Sequence, residues 1–349
     1  VTLDDLQALR AADVSNMLGT VAALPSHCRR SYDAGISVSG LPDPAGIGSV
    51  VFCGMGGSAV SGDVLKQCFR DRLGVPVDVN RSPLLPEFAG PHTLVVVSSY
   101  SGNTAETLEA FYEAAERGCR IVAVTSGGTL GAECAARGLA AVPLPPGFQP
   151  RAALGHLAFG MLGALEAAGL LPPLADDVEE TVSVLSELAE RLAPEASGNE
   201  AKELAEWLGD RVPVVWGAEG LGAVAAMRWK TQLNENGKVP AFNAAMPELD
   251  HNEVVGWVEP YGERFAVIGV RHEDEHPQVA ARFSLSASIA TGSGAAYREV
   301  HAGGRSALAR LMSLVMTGDF VSCYVGLRRG VDPTPVHAID RLKAALAEG

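Results

Sequence analysis

Ser49-Val50-Val51-Phe52-Cys53 is a short apolar run, and Gly54-Met55-Gly56-Gly57-Ser58 follows it at once. The run has strand length, the glycines permit a tight turn, and a helical pattern then continues to about Phe69. Strand, glycine turn and helix together open a parallel α/β unit. The helix start offers N–H donors and a partial positive charge to an anion. The glycines alone do not identify that anion. Ala59 stands where a dinucleotide fingerprint has its last glycine, no acid sits at the expected distance, and the Walker lysine-serine pair is missing.

Working outward, further apolar runs occupy 75–79, 93–97, 120–125 and 140–144, alternating with helical segments such as 104–117. Continuous apolar strands between helices predict a parallel sheet covered on both faces. Ahead of them, 3–10 and 14–24 read as helices, the second ended by Pro25, within a lead-in that spans 1–40. Segments 152–171 and 176–192 read as helices, and Pro194-Glu195-Ala196-Ser197-Gly198 as a linker. The opening pattern then returns in Val212-Pro213-Val214-Val215-Trp216-Gly217, with Gly220-Leu221-Gly222 leading into a helix through Lys230. A strand at 265–270, a helix at 277–287, a long helix from about Arg305 and a last one at 335–347 complete the chain. The expected architecture is α/β with two tandem subdomains, 1–192 and 193–349.

The 349 residues are enough for about two domains, and 47% hydrophobic content rules out wholesale disorder. With 27 Lys+Arg against 41 Asp+Glu, the net charge of −14 disfavours nucleic acid and anionic lipid as partners. Six cysteines without a CxxC spacing read as reduced thiols. Acidic Asp4 and Asp5 stand where a signal peptide needs basic residues. The apolar stretch 308–327 is interrupted by Arg310 and Asp319, so it reads as a buried helix and not a membrane span. A cytoplasmic protein is expected.

A second strand end is richer in chemistry. After 93–97 comes Ser98-Ser99-Tyr100-Ser101-Gly102-Asn103-Thr104-Ala105-Glu106-Thr107. Ser99, Ser101 and Thr104 can each donate to a phosphate, at a point where a helix start also aims N–H groups. Helix capping accounts for one hydroxyl and leaves the rest of the cluster unexplained. Two such loops in one open sheet converge on its natural ligand crevice.

These motifs resemble the sugar isomerase (SIS) domain. Leu233-Asn234-Glu235-Asn236-Gly237-Lys238 and Pro247-Glu248-Leu249-Asp250-His251-Asn252-Glu253 are similar to two signature blocks of the bifunctional phosphoglucose/phosphomannose isomerases. Gln149-Pro150-Arg151 and Ile339-Asp340-Arg341-Leu342-Lys343 match too, so the likeness runs in order along nearly the whole chain. Gly237 and Asp250 depart from the commoner alanine and asparagine, and Thr334 is the nearest hydroxyl to a family position tied to epimer choice.

The residues suit the chemistry. Moving a proton between adjacent sugar carbons needs one base that takes it and returns it, and a carboxylate such as Glu235 can do so. Glu248 and Glu253 compete for that role on sequence alone. His251 can exchange a proton near neutral pH, as ring opening requires; a zinc ligand there would lack neighbours at ligand spacing. His272 and His276 form an i, i+4 pair, but Arg271–Glu275 reads as a charged surface loop. Arg151, at a helix start, could stabilise an enediolate.

The resemblance implies Glu235 as proton shuttle, His251 as ring-opening group contributed across a homodimer interface, Arg151 as anion stabiliser and Lys343 as a substrate contact. It also implies a phosphate held by Gly57, Ser58, Ser99, Ser101 and Thr104, a hexose 6-phosphate substrate, and no cofactor or metal. The rival readings are a non-catalytic phosphosugar sensor and an isomerase of amino or pentose sugar phosphates. The first needs the serine loop but not Glu235, His251 and Arg151 together.

Overall fold

The computed structural model describes residues 2–348; the side chains of 343 and 346–348 lie outside that description. The chain opens with helices α1 Leu6–Ala12, α2 Met17–Ala22 and α3 Leu24–Ile36. Next come β1 Ser49–Cys53, α4 Gly56–Cys68, β2 Val77–Asn80, β3 Thr93–Ser98, α5 Ala105–Glu116, β4 Arg120–Thr125, α6 Gly128–Arg137 and β5 Ala140–Pro143. Helices α7 Leu154–Ala167, α8 Ala175–Arg191 and α9 Glu200–Leu208 lead to β6 Val212–Ala218, α10 Leu221–Glu235 and β7 Phe242–Met246. The rest is β8 Phe265–Arg271, α11 Pro277–Gly292, β9 Ala296–His301, α12 Ala307–Arg328 and α13 His337–Glu348.

Packing divides the chain into two units, neither continuous in sequence. One comprises Ala23–Ser186 with Gly303–Met312; the other joins the start up to Ala22, Glu187–Ala302 and the part from Ser313 onward. Helices α1 and α2, expected in the first subdomain, therefore pack within the second unit. Arg10 pairs there with Glu195 at 2.8 Å, and Lys202 with Asp4 at 3.3 Å.

The first unit is a five-stranded parallel sheet in the order β2-β1-β3-β4-β5. Strand alternation sends Val51, Cys53, Val95, Val97, Ile121 and Ala123 into one core with Ala110 and Phe111 of α5 and Leu130 and Cys134 of α6. The other face takes α4 and α7, against which α3 packs. Pro25 does not end a helix; it sits in the first turn of α3, where its missing N–H costs nothing. The α3–α7 contact is close: a Cβ on Gly163 would lie 2.3 Å from the Tyr32 carbonyl oxygen, so only glycine fits.

In the second unit the order β7-β6-β8-β9 repeats the same parallel topology with one strand fewer. Val214, Trp216 and Ala218 of β6 face α11, in a core with Met246, Val267, Phe283 and Ala290. The alternate residue Gly217 instead packs on Gly222 at the start of α10. Helices α10 and α11 therefore cover opposite faces of this sheet. Helix α12 has the length and hydropathy of a membrane span, but its apolar window is entirely buried, as a core helix's would be.

Candidate active site

The order β2-β1-β3-β4-β5 makes β1 and β3 neighbours whose connections leave in opposite directions. Cys53 pairs with Val97, so the loops after both strands stand side by side at the carboxyl end of the sheet, the usual ligand crevice. The first loop starts α4, whose N-cap Met55 makes no side-chain capping bond. The second starts α5, and its N-cap Thr104 likewise makes none. Thr104 Oγ1 lies 3.0 Å from Ser99 Oγ, so its hydroxyl belongs to the serine loop and does not serve as a cap. By contrast, Asn103 Oδ1 accepts from the backbone N and the hydroxyl of Thr129 at the start of α6, both at 3.0 Å. Two neighbouring helix starts thus lack side-chain caps, and such starts attract anions.

The hydroxyls there are not equivalent. Ser101 is exposed, with Oγ accepting from Asn103 N at 3.2 Å. Ser99 is buried, and its Oγ accepts from Gly102 N at 3.1 Å, so it also shapes the loop. Ser58, in the first turn of α4, is buried and accepts from Tyr100 N at 3.4 Å. Gly57 completes this wall: a Cβ there would fall 2.8 Å from the Pro150 carbonyl oxygen and 3.1 Å from Arg151 Cα. The missing side chain lets the turn Pro150–Ala153 lie against α4. That turn carries Arg151, which is only 3% exposed. Five phosphate candidates and Arg151 therefore come together in one unit.

Glu235 is the half-buried last residue of α10 in the other unit. Its surroundings explain the rest of its motif. Asn234 Nδ2 donates to Val239 O at 2.9 Å, and Asn236 Nδ2 to Ser322 Oγ of α12 at 3.0 Å. Lys238 Nζ donates to the Glu235 carbonyl and, at 2.9 Å, to Pro333 O. Two turns earlier, Arg228 makes a buried bidentate pair with Asp319, Nε–Oδ1 3.1 Å and Nη2–Oδ2 2.8 Å. These bonds fix the end of α10 against α12 and hold the Glu235 backbone in place.

His251 is exposed, in the short turn Glu248–His251 that follows β7. Asp250 ties that turn to α11, accepting from Arg282 Nη1 at 3.0 Å and Ser286 Oγ at 2.6 Å. Because α10 and α11 lie on opposite faces, Glu235 and the His251 turn of one chain stand on opposite sides of the four-stranded sheet. Of the competing bases, Glu253 is committed to packing: it accepts from Trp216 Nε1 at 2.8 Å, and burial pushes its carboxyl up. Glu248 is exposed and accepts from Asn252 Nδ2 at 3.1 Å. Lys343 lies in α13, with its side chain outside the described residues. Thr334 precedes α13, its N–H donating to Asp332 Oδ1 at 2.9 Å. Among the described residues no three His, Cys, Asp or Glu group together as a metal site.

Two links escaped the sequence reading. One is the clasp of Asp250 on α11, noted only as a departure from a pattern. The other is Tyr100, whose hydroxyl bonds to Pro145 and Phe148 and whose place in a hydroxyl-rich loop is its only signal in the sequence.

Known proteins include relatives that match most of the chain. Residues 197–346 match the family described as the bacterial phospho-glucose isomerase C-terminal SIS domain. A bifunctional phosphoglucose/phosphomannose isomerase of Caldicellulosiruptor bescii is 39% identical over 336 residues, 95% of this chain and 99% of that one. One of Aquifex aeolicus is 36% identical, covering 85% of this chain and 90% of that protein. In structure, the C-terminal domain of glucosamine-fructose-6-phosphate aminotransferase from Francisella tularensis aligns with a TM-score of 0.71 at 15% identity, over 91% of this chain and 98% of that one.

Proposed function

The chain belongs to the bifunctional phosphoglucose/phosphomannose isomerase family, and from that premise we propose how it interconverts glucose 6-phosphate and mannose 6-phosphate with fructose 6-phosphate. The carrying observation is a family likeness over 95% of the chain, in a sequence that carries both the phosphate-type loops and the acid–base blocks.

The phosphate sits at the starts of α4 and α5, with Gly57, Ser58, Ser99, Ser101 and Thr104 donating to it. His251 assists opening of the cyclic hemiacetal by exchanging a proton with a ring or hydroxyl oxygen. Glu235 removes the proton from C2 of the open aldose, giving a cis-enediolate, and returns it to C1 to yield the ketose. Arg151 stabilises the negative charge on the enediolate oxygens, and its deep burial makes that charge effective. Lys343 contributes a further substrate contact. The scheme needs no redox partner, since the hydrogen leaves one carbon and returns to its neighbour.

The working unit in this proposal is a cytoplasmic homodimer in which His251 serves the partner's Glu235. Two features support it. The sheet separates the two residues within one chain, and Phe242, Val255, Val258, Tyr261, Leu285 and Ile289 of the same unit are exposed apolar side chains.

A coupled assay on a panel of hexose, amino-hexose and pentose phosphates tests the activity. Fructose 6-phosphate should form from the glucose and mannose esters. Tight binding of these esters with turnover of none would favour the sensor reading, and turnover of pentose or amino sugars alone the other isomerase.

A further inference from the structure

Tyr100 occupies the middle of the serine loop, yet its side chain points away from the hydroxyl cluster into the next wall of the site. It is 6% exposed. Its Oη donates to Pro145 O at 2.7 Å and accepts from Phe148 N at 3.0 Å, closing the segment 145–148 like the bond of a turn. Three residues on is Arg151. The backbone of Tyr100 is held just as firmly: its N–H reaches Ser58 Oγ at 3.4 Å, and its carbonyl accepts from Ser126 N at 3.0 Å and Ser126 Oγ at 2.6 Å. One residue therefore joins the loops after β1, β3, β4 and β5. Burial pushes the phenol up from its ordinary value, so it stays protonated at neutral pH and can donate and accept together.

We infer that Tyr100 is a positioning residue that couples the phosphate loop to Arg151. This rests on the roles given above to the serine loop and Arg151. Phosphate ordering Ser99, Ser101 and Thr104 also fixes Tyr100, whose phenol fixes the segment that delivers the guanidinium to the developing enediolate. Binding energy from the unreactive end of the sugar is thereby realised at the reacting end, in the transition state.

Tyr100→Phe keeps the ring and removes the bridge. It should lower kcat by about ten-fold with KM within about two-fold, since the phosphate donors remain. Two inhibitors separate the roles without turnover. Arabinonic acid 5-phosphate, whose carboxylate imitates the enediolate, should bind about ten-fold more weakly to Tyr100→Phe, and glucitol 6-phosphate unchanged. In an Arg151→Ala background the same change should add no further loss. Should Tyr100→Phe fail to fold, Ser126→Ala, which removes the hydroxyl donor to the Tyr100 carbonyl and leaves the Ser126 N–H bond in place, should show the same split at smaller size. Equal weakening of both inhibitors, weakening of neither, or full additivity with Arg151→Ala would overturn the coupling. A wild-type protein without isomerase activity would instead defeat the proposed function, and the inhibitor comparison would still decide the coupling.

Discussion

At the scale of single residues, Ser101 and Thr104 differ from Ser99 in what their loss should cost. Ser99 is buried in bonds that shape the loop, whereas Ser101 is exposed and Thr104 half-buried beside an uncapped helix start. In the proposed site, Ser101→Ala and Thr104→Ala each remove one charge-assisted donor, about 1.5–3 kcal/mol, so KM for hexose phosphates should rise roughly ten-fold or more, and kcat should fall as well to the extent that the loop orders Tyr100. Steady-state kinetics and inhibition by glucitol 6-phosphate check this; unchanged affinity in both variants would move the phosphate elsewhere. Glu235, His251 and Arg151 stand out in the sequence as residue types that suit the proposed chemistry, and the family blocks order them. Asn236 and Lys238 were not legible as props for Glu235, because their partners Ser322 and Pro333 lie about 90 residues away in sequence.

At the scale of elements, what stood out in the sequence was what was buried on both faces. Strands β1, β3 and β4 are continuous apolar runs and were found within a residue. Strands β7 and β9 were missed: they are the edges of their sheet, and Phe242-Asn243-Ala244-Ala245-Met246 and Ala296-Tyr297-Arg298-Glu299-Val300-His301 carry polar or small residues on their open side. Helix α3 was hidden by reading Pro25 as a terminator. Two expectations belong here. Asp319→Ala removes the bidentate carboxylate from the buried Arg228 guanidinium and should cost about 3–5 kcal/mol, while the double change Arg228→Met/Asp319→Leu should recover most of it. The tryptophans 207, 216, 229 and 257 all lie in that unit, so their fluorescence during urea unfolding reports the loss. The second concerns His156 of α7, fully buried, stacked on His27 at 4.3 Å and bonded to Ser31 Oγ at 2.7 Å. Burial lowers it to about 3 from an ordinary 6.5, with His27 and Arg30 adding to the shift. The unfolded chain takes up a proton that the folded site refuses, so stability is full above pH 6.5 and falls as pH drops toward 3. Circular-dichroism unfolding of wild type should steepen with acid relative to His156→Gln, by at most ~1.4 kcal/mol per pH unit; parallel curves would remove His156 from the account.

At the scale of the whole molecule, the tandem repeat was legible because the strand–glycine–helix opening recurs near Val212, and both sheets share one topology. The expected boundary at 192/193 and the change of unit at 186/187 differ by a few residues. The return of the first 22 residues to the second unit was invisible, since it depends on partners such as Glu195 and Lys202 far along the chain. The dimer reading makes its own prediction. Glu235→Gln and His251→Ala should each be nearly inactive, yet mixing and re-equilibrating them should restore roughly a quarter of wild-type activity, because half the dimers are hybrids with one complete site. No recovery would place both groups in one chain.

The central claim is that Glu235 carries a proton between two carbons of a hexose phosphate. NMR of glucose 6-phosphate and mannose 6-phosphate incubated in deuterated water reads that transfer directly. Wild type should form fructose 6-phosphate and place solvent deuterium on the carbon skeleton. Glu235→Gln should fold, bind the esters, and lose isomerisation and exchange together by at least ~10²-fold. Near-normal exchange in Glu235→Gln would contradict the account and turn attention to Glu248.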